Sequence, residues 1–305
     1  MKKLLFSISS YKYLQEELLT LGSYEEGKVH TELFSDGERY QKILTSTAGR
    51  DVILLGGTIN ESTTLELYDL ASAIVSYGAN SLSLVVPYFG YSTMERSIAA
   101  GEVVTAKIRA RLLSSIPRSN NGNRIYLFDL HTEGLPHYFE GHLFPIHVYC
   151  KEIVMQVARE VGGVDFVLAS TDAGRAKWVE SLANEMNVNA AFVLKRRLHS
   201  DQTEISAINA DVSGKTVIIY DDMIRSGGSI INAAKVYRDA GASDIYVITT
   251  HGLFVKDGLN KIKESGLVKK VFTTNTHAYV NDIQDEFLKI KSISALINKS
   301  IEAFH

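Results

Sequence analysis

The stretch that decides the fold is Val217-Ile218-Ile219-Tyr220-Asp221-Asp222-Met223-Ile224-Arg225-Ser226-Gly227-Gly228-Ser229. It begins with a continuous apolar run, which is typical of a strand buried on both faces of a parallel sheet. Two adjacent carboxylates follow, and then a turn rich in hydroxyls and glycines opens a helical pattern. Glycines let the backbone approach a ligand closely, and the N–H groups at a helix start attract anions. The stretch therefore predicts a strand, an anion-binding loop and a helix, in that order.

The paired acids Asp221 and Asp222 need a different ligand group, because a carboxylate repels phosphate. Their oxygens suit sugar hydroxyls, which donate hydrogen bonds, or a cation. Ser226 and Ser229 can add hydroxyl donors for the anion. Together these features predict a ribose-phosphate site, and a tight turn with solvated acids is the plain alternative. Neither GxxxxGKS/T nor GxGxxG occurs in the stretch, so it does not indicate a P-loop or a dinucleotide site.

Outward from this stretch, short Val/Ile/Leu-rich runs alternate with longer segments of helical periodicity. The predicted strands are residues 52–55, 83–86, 124–130, 166–169, 190–194, 216–220, 244–249 and 270–272. The predicted helices are residues 64–77, 103–115, 151–161, 176–186 and 230–240. Such alternation is typical of an α/β fold with parallel sheets and right-handed crossovers.

The chain also repeats itself weakly. Residues 51–86 laid on residues 214–249 match strand to strand and helix to helix. Gly78-Ala79 then falls on Gly241-Ala242, and each pair follows a helix as a stop signal. Where the second copy has Asp221-Asp222 and Gly227-Gly228, the first copy has Thr58-Ile59 and Thr64-Leu65, so we expect the second copy to bind the sugar phosphate.

Composition sets broad limits. The 305 residues leave room for two domains, and a net charge of −3 gives no strong field for nucleic acid or an anionic membrane. No run approaches the ~18 apolar residues of a membrane span. The single cysteine, Cys150, permits no internal disulfide, which suits a reducing cytoplasm. We therefore expect a soluble cytoplasmic protein with neither nucleic acid nor membrane as a partner.

Polar segments follow three further predicted strands, where ligands bind in open α/β sheets. Asp129-Leu130-His131 places a histidine that can ligate a metal or meet a phosphate, or that is simply structural. Asp172, in Ser170–Arg175, offers an oxygen ligand for a hard cation or an N-cap for the next helix. Lys195-Arg196-Arg197 places three cations at a strand end.

The anion-binding loop resembles that of type I phosphoribosyltransferases and of ribose-phosphate diphosphokinases, the phosphoribosyl diphosphate synthetases. Phe34-Ser35-Asp36-Gly37-Glu38 is similar to the FPDGE loop with which the synthetases clasp the nucleotide base. The segments Asp129–His131 and Lys195–Arg197 resemble a nucleotide-phosphate segment and the catalytic loop of the synthetases. This combination favours the synthetases over the transferases, and the resemblance runs from about residue 3 to the C-terminus.

The resemblance implies an α/β fold of two type I phosphoribosyltransferase-like domains, each with a mainly parallel sheet flanked by helices. The expected divisions are 1–148 with the nucleotide-binding loops, 149–283 with the ribose 5-phosphate and diphosphate loops, and 284–305, a strand and helix returning to the first domain. It also implies an enzyme that moves the diphosphoryl group of a Mg-nucleoside triphosphate, ATP or another, to O1 of ribose 5-phosphate. The alternatives are a catalytically silent regulatory homologue and a type I phosphoribosyltransferase. In the synthetases the FPDGE loop completes a neighbouring subunit's nucleotide site, so a homo-oligomer is expected.

The resemblance also implies roles for individual residues. The catalytic pair is Lys195 and Arg197. The nucleotide ligands are Phe34, Asp36, Glu38, Arg96 and His131, and the Mg²⁺ ligands are His131 and Asp172. The ribose 5-phosphate ligands are Asp221, Asp222, Ser226, Gly227, Gly228 and Ser229. The diphosphate loop is Thr171, Asp172, Ala173, Gly174 and Arg175.

Two departures separate the chain from the commoner synthetases. Thr93-Met94-Glu95-Arg96 stands where those enzymes carry RQDR, and Arg225-Ser226 stands where they carry an acid and a threonine. Both changes resemble the class II synthetases best known from plants. That likeness implies a looser choice of nucleotide donor and little activation by phosphate.

Overall fold

The computed structural model describes residues 2–196 and 205–304. The chain divides into two compact units. The first unit comprises Met1–Tyr149, Thr276–Ala278 and Ile293–His305, and the second unit comprises Cys150–Asn275 and Tyr279–Ser292. Within the described ranges, no helix has the length and apolar character needed to cross a membrane.

The strands, in chain order, are β1 Lys3–Ser7, β2 Tyr24–Glu26, β3 Val29–Leu33, β4 Arg39–Ile43, β5 Asp51–Leu55, β6 Ser81–Val86, β7 Asn123–Phe128, β8 Leu143–Val148, β9 Phe166–Ser170, β10 Asn189–Arg196, β11 Ile205–Ile208, β12 Thr216–Ile224, β13 Asp244–Gly252, β14 Lys270–Thr274 and β15 Leu288–Lys291. The α-helices are α1 Lys12–Thr20, α2 Glu61–Ser76, α3 Thr105–Ser114, α4 Lys151–Gly162, α5 Ala176–Met186, α6 Gly228–Asp239, α7 Gly258–Glu264 and α8 Ser294–Ala303.

The first unit is built on a six-stranded sheet in the order β2-β1-β5-β6-β7-β8, and every neighbouring pair is parallel. Strand β6 is buried along its whole length, including its two serines, Ser81 and Ser83. Strands β3 and β4 form a separate antiparallel hairpin with mostly exposed side chains. The hairpin leaves Leu33 68% exposed.

The second unit is built on a seven-stranded sheet in the order β11-β10-β9-β12-β13-β14-β15, in which β11 runs antiparallel to β10 and the other pairs are parallel. Helices α6 and α7 pack on one face, and α4 and α5 pack on the other. Strand β12 alternates between the two cores: Val217 and Ile219 enter the first, and Ile218 and Tyr220 enter the second. This burial on both faces explains its unbroken apolar run, and the predicted α/β fold with mainly parallel sheets is confirmed.

The weak sequence repeat corresponds to two crossovers of the same design, β5-α2-β6 and β12-α6-β13. Both helices stop at a glycine with a positive φ, 84° at Gly78 and 94° at Gly241. The next amide then donates back to the last helical turn, from Ala79 to the Ile74 carbonyl at 3.3 Å and from Ala242 to the Tyr237 carbonyl at 3.0 Å.

Several strand ends differ from the sequence prediction, and two of these differences lie at predicted site residues. Strand β12 continues to Ile224, so the paired acids lie within the strand instead of after it, because β13 also continues and pairs Met223 with His251 and Ile224 with Gly252. Strand β7 ends at Phe128, and Asp129 takes a φ of 36°. The periodicity did not predict α1, α7, the β3–β4 hairpin or the short edge strands β2 and β11.

Candidate active site

The carboxyl edge of the second sheet brings together side chains that follow β9 and side chains of β12. The Thr171 hydroxyl donates to Asp221 Oδ2 at 3.2 Å. The Asp222 amide donates to Asp221 Oδ1 at 3.0 Å, which orients the first carboxylate. Arg175 Nη2 lies 2.8 Å from Asp222 Oδ2. The predicted diphosphate loop and the predicted sugar-binding acids therefore contact each other directly.

The acid pair is electrostatically strained. Burial raises the pKa of Asp221 well above its usual range, and the neighbouring Asp222 carboxylate raises it further, while Arg175 acts in the opposite direction. Burial by itself lowers the pKa of Arg175, but the charges of Asp222, Tyr220 and Asp221 outweigh it and raise that pKa overall. Arg175 is thus a permanent cation beside two acids that compete for it.

The anion-binding loop is shaped by close backbone contacts. Gly227 has a φ of 80° and precedes α6, which begins without a side-chain cap and so leaves its first N–H groups for a ligand. A Cβ on Gly227 would lie 2.8 Å from Ile262 Cγ1 and 2.9 Å from the Gly258 carbonyl oxygen. Ser226 and Ser229 are exposed. Helix α7, which the sequence pattern did not predict, therefore packs directly against the anion-binding loop at Gly227.

The predicted diphosphate loop is a single turn of 3-10 helix, Ala173–Arg175. Asp172 caps this turn by accepting from the Gly174 amide at 2.8 Å, so its capping role is present. The Ser170 hydroxyl donates to the Asp172 carbonyl at 2.7 Å, and the Tyr237 hydroxyl donates to the Ser170 carbonyl at 2.8 Å. Ala173 and Gly174 are exposed above this anchored base.

The predicted histidine of the first unit lies in a loop held by a second histidine. The Asp129 amide donates to the Val148 carbonyl at 3.0 Å, and the Leu130 amide donates to His147 Nε2 at 3.0 Å. Because Nε2 accepts, it carries no proton in this arrangement. His131 comes next and is half-buried. No sequence motif pointed to His147; the signal that could have found it is that the parallel strands β7 and β8 end at one edge.

The remaining predicted nucleotide ligands of the first unit are exposed. Arg96 is 76% exposed and forms an ion pair with Glu95, with 3.4 Å between the charged atoms. Phe34 lies at the tip of the β3–β4 hairpin and stacks on Tyr40, with ring centroids 5.8 Å apart. Asp36 accepts from the Glu38 amide at 3.0 Å within the same tip.

Of the predicted catalytic pair, Lys195 lies in β10 with its backbone opposite Ser206 of β11. Arg197 lies outside the described residues.

At the carboxyl edges of the two sheets, the described side chains offer carboxylate oxygens to a metal ion rather than a complete set of protein ligands. Among residues 2–196 and 205–304, no group of three His, Cys, Asp or Glu side chains converges to hold a metal ion. Mg²⁺ is commonly held by one or two carboxylates together with water and substrate phosphates. Asp172 uses one carboxylate oxygen for its cap, and His131 lies beside Asp129 in the first unit. The other Asp172 carboxylate oxygen suits a Mg²⁺ ion that arrives with phosphate ligands of its own.

Comparison with known proteins gives the lineage. The family described as the N-terminal domain of ribose phosphate pyrophosphokinase matches residues 3–116, and the family described as the phosphoribosyl synthetase-associated domain matches residues 169–305. The ribose-phosphate pyrophosphokinase of Synechococcus elongatus is 31% identical, over 99% of this chain and 90% of its own length. The chain belongs to the ribose-phosphate pyrophosphokinase family.

Two other similar proteins also match this chain over nearly its whole length. The chloroplastic ribose-phosphate pyrophosphokinase 2 of Arabidopsis thaliana is 29% identical, over 99% of this chain and 75% of its own length. A crystal structure of phosphoribosylpyrophosphate synthetase from Mycobacterium smegmatis is 26% identical and superposes with a TM-score of 0.87, covering 99% of this chain and 98% of the other. The likeness therefore covers both units.

Within this pyrophosphokinase-family chain, the structure unites some predicted residues and leaves others separate. It joins Thr171, Arg175, Asp221 and Asp222 through direct contacts in the second unit. Phe34 and Arg96 are exposed in the first unit.

Proposed function

We propose that the protein is a ribose-phosphate diphosphokinase. It transfers the diphosphoryl group of a Mg-nucleoside triphosphate to O1 of ribose 5-phosphate, giving phosphoribosyl diphosphate and a nucleoside monophosphate. The observation that carries this proposal is the carboxyl edge of the second sheet. Two acids, a largely buried arginine and the anion-binding loop shaped by Gly227 lie at this edge. The chain that carries them belongs to the ribose-phosphate pyrophosphokinase family.

The second unit is the proposed sugar-phosphate half. The N–H groups of Gly227, Gly228 and Ser229, with the hydroxyls of Ser226 and Ser229, bind the 5-phosphate. Asp221 and Asp222 accept hydrogen bonds from the ribose hydroxyls. Thr171, Asp172, Ala173, Gly174 and Arg175 bind the diphosphoryl group.

The nucleotide ligands are proposed from the first unit. Phe34 stacks on the base, Asp36 and Glu38 accept from its exocyclic donors or its ribose, and Arg96 and His131 contact the phosphates. Asp172 and His131 are the proposed Mg²⁺ ligands. When bound, Mg²⁺ neutralises charge on the phosphates.

The proposed reaction is an in-line displacement. Ribose O1 attacks the β-phosphorus, the bond from that phosphorus to the α-phosphate oxygen breaks, and the hydroxyl proton passes to solvent. Phosphoryl transfer of this kind depends mainly on positioning and on stabilising spread charge, so a strong base is not required. Lys195 and Arg197 provide that stabilisation in the proposed mechanism.

One assay tests the proposal. The purified chain is incubated with ribose 5-phosphate, Mg²⁺ and ATP, and AMP and phosphoribosyl diphosphate are separated by chromatography. We expect equal amounts of both products, and no AMP when ribose 5-phosphate is omitted. Failure to form AMP at any ATP concentration would favour the silent regulatory homologue. Consumption of added phosphoribosyl diphosphate with a free base, releasing diphosphate, would favour a phosphoribosyltransferase.

The donor range is a further expectation. Thr93 and Met94 stand where the commoner synthetases carry an arginine and a glutamine, so the nucleotide loses a cation and a polar anchor. A charge-assisted contact contributes roughly 1.5–3 kcal/mol, so a site with fewer anchors discriminates less among bases. We expect GTP, CTP or UTP to reach within about tenfold of the kcat/KM of ATP without added phosphate. Strict ATP use that depends on millimolar phosphate would contradict the class II likeness.

We also propose a cytoplasmic location, because a chain with a single cysteine, Cys150, can form no internal disulfide.

A further inference from the structure

The ion pair between Arg175 and Asp222 links two loops that the proposed function assigns to different substrates. Arg175 closes the diphosphate loop, and Asp222 is a proposed ribose ligand. Their charged atoms lie 2.8 Å apart, with the Arg175 side chain 19% exposed and the Asp222 side chain 2% exposed. The Arg175 guanidinium thus lies where the proposed ribose hydroxyls would contact Asp222. The Asp222 carboxylate likewise lies where the proposed phosphate oxygens would contact Arg175.

The burial of Asp222 decides how a sugar can reach it. The Asp222 side chain is 2% exposed, whereas Asp221 is half-buried. Removing one partner from a buried ion pair is strongly unfavourable unless new hydrogen bonds replace it. Two neighbouring ribose hydroxyls supply such replacement donors. The guanidinium can therefore leave when the sugar arrives.

The guanidinium released from Asp222 can bind a further anion. Arg175 lies in a largely desolvated position, where an unpaired cation is costly. It also ends the turn whose Asp172 cap and exposed Ala173 and Gly174 form the diphosphate loop. The planar, multiply donating guanidinium suits phosphate oxygens. The anion that fits next is the diphosphoryl group of the nucleotide.

We propose that Arg175 leaves Asp222 when ribose 5-phosphate binds and then contacts the diphosphoryl group of the nucleotide. Ribose 5-phosphate binding thus prepares the site for the nucleotide. The proposal rests on the proposed function and adds a thermodynamic coupling to it. Each substrate raises the affinity of the other by the same factor, because linkage is reciprocal.

A natural probe reports on this position. Trp178 is the single tryptophan of the chain. It lies in the first turn of α5, close in sequence to Arg175, and stacks on Tyr220 with ring centroids 4.1 Å apart. Tyr220 directly precedes the acid pair. We therefore expect tryptophan fluorescence to follow ribose 5-phosphate binding without a label.

The experiment measures the coupling directly. The non-transferable nucleotide α,β-methylene-ATP is titrated with Mg²⁺ by calorimetry, with and without saturating ribose 5-phosphate. We expect ribose 5-phosphate to tighten nucleotide binding at least ~5-fold in the unaltered protein. In Arg175→Met we expect the two dissociation constants to agree within about twofold, although ribose 5-phosphate still changes Trp178 fluorescence. Lys177→Met is the matched control, because Lys177 is an exposed cation of the same segment, and it should keep the full coupling.

Two further variants keep the test independent of folding. Arg175→Met leaves the buried Asp222 carboxylate without its cation, so Arg175→Met/Asp222→Asn removes both charges together. We expect the double variant to fold and to lack coupling. Arg175→Lys keeps a cation but not the planar donor set, and we expect it to keep part of the coupling.

Undiminished coupling in Arg175→Met, or in the double variant, would overturn the exchange. So would an unaltered protein that binds both ligands and turns over without any coupling, and that result would leave the proposed function standing. Absence of both turnover and ribose 5-phosphate binding in the unaltered protein would instead reject the proposed function.

Discussion

At the scale of single residues, Asp221 is a carboxylate that the fold tolerates at a cost to stability. Its pKa is raised by burial and by Asp222, so folding favours its neutral form. Stability from this group is present below the ordinary carboxyl pKa and falls as pH rises through the raised value. We expect Asp221→Asn to raise the free energy of unfolding at neutral pH, and the gain to shrink towards about pH 4. Urea unfolding across this range measures it.

Asp285 provides a control of opposite sign. Its pKa is lowered by the hydrogen bond from Lys263, whose Nζ lies 2.8 Å from Asp285 Oδ2. Its stabilisation is present at neutral pH and is lost as pH falls through the lowered value. Asp285→Asn should therefore destabilise at neutral pH, and less so in acid. A pH-independent effect of Asp221→Asn would show that its burial does not set its charge.

The basic segment gives a kinetic prediction. We expect Lys195→Ala and Arg197→Ala to lower kcat at least ~10²-fold, as loss of preorganised charge stabilisation does. Ribose 5-phosphate affinity, followed by tryptophan fluorescence, should stay unchanged. Arg196→Ala, between them in sequence, is the matched control and should stay within a few-fold of the unaltered kcat. Near-normal turnover of Lys195→Ala would remove this segment from the mechanism.

At the scale of elements, the anion-binding loop depends on Gly227. An alanine there combines a left-handed φ of 80° with a Cβ 2.9 Å from the Gly258 backbone oxygen, which cannot move without shifting α7. We expect Gly227→Ala to lower ribose 5-phosphate affinity at least ~10-fold and to destabilise the protein by more than the ~1–2 kcal/mol of the left-handed backbone alone. Calorimetry and urea unfolding measure the two effects.

Gly266 is the matched control for that substitution. It has a φ of 64°, but a Cβ there meets nothing within 4 Å. Gly266→Ala should show the backbone cost alone and bind ribose 5-phosphate normally. Equal effects of the two substitutions would mean that the contact with α7 does not shape the loop.

Element prediction from the sequence succeeded where the apolar pattern was strong. Helix α5 was predicted with its observed bounds, Ala176–Met186, because its apolar stripe and its flanking turns are unambiguous. The hairpin β3–β4 was missed because its side chains are mostly exposed and carry no burial signal. Helix α7 was missed because it is short and begins after a run of left-handed residues at Phe254, Lys256 and Asp257.

At the scale of the whole molecule, the exposed β3–β4 hairpin favours association of the chain into an oligomer. A two-stranded hairpin is marginally stable by itself, and this one exposes Leu33, Phe34 and Tyr40. We expect a homo-oligomer, the common state of soluble enzymes, and a fall of activity per chain on dilution. Light scattering alongside the assay measures both. A fully active monomer at nanomolar concentration would contradict this expectation.

The sequence by itself determined the fold class and most of the second site's membership. Apolar runs, glycine stops and polar strand ends are local signals, because burial on both faces and a left-handed turn each restrict residue type at one position. From them came the parallel sheets, the anion-binding loop before α6, and the acids Asp221 and Asp222 as ligands. The resemblance then supplied the expected chemistry.

The tertiary structure alone decided which residues touch. Arg175 and Asp222 are far apart in sequence, and their contact exists because parallel β9 and β12 are neighbours that end at the same edge. The support of Leu130 by His147 has the same origin in β7 and β8. Such pairings depend on strand order, which is fixed by the packing of the whole sheet and leaves no local pattern in the chain.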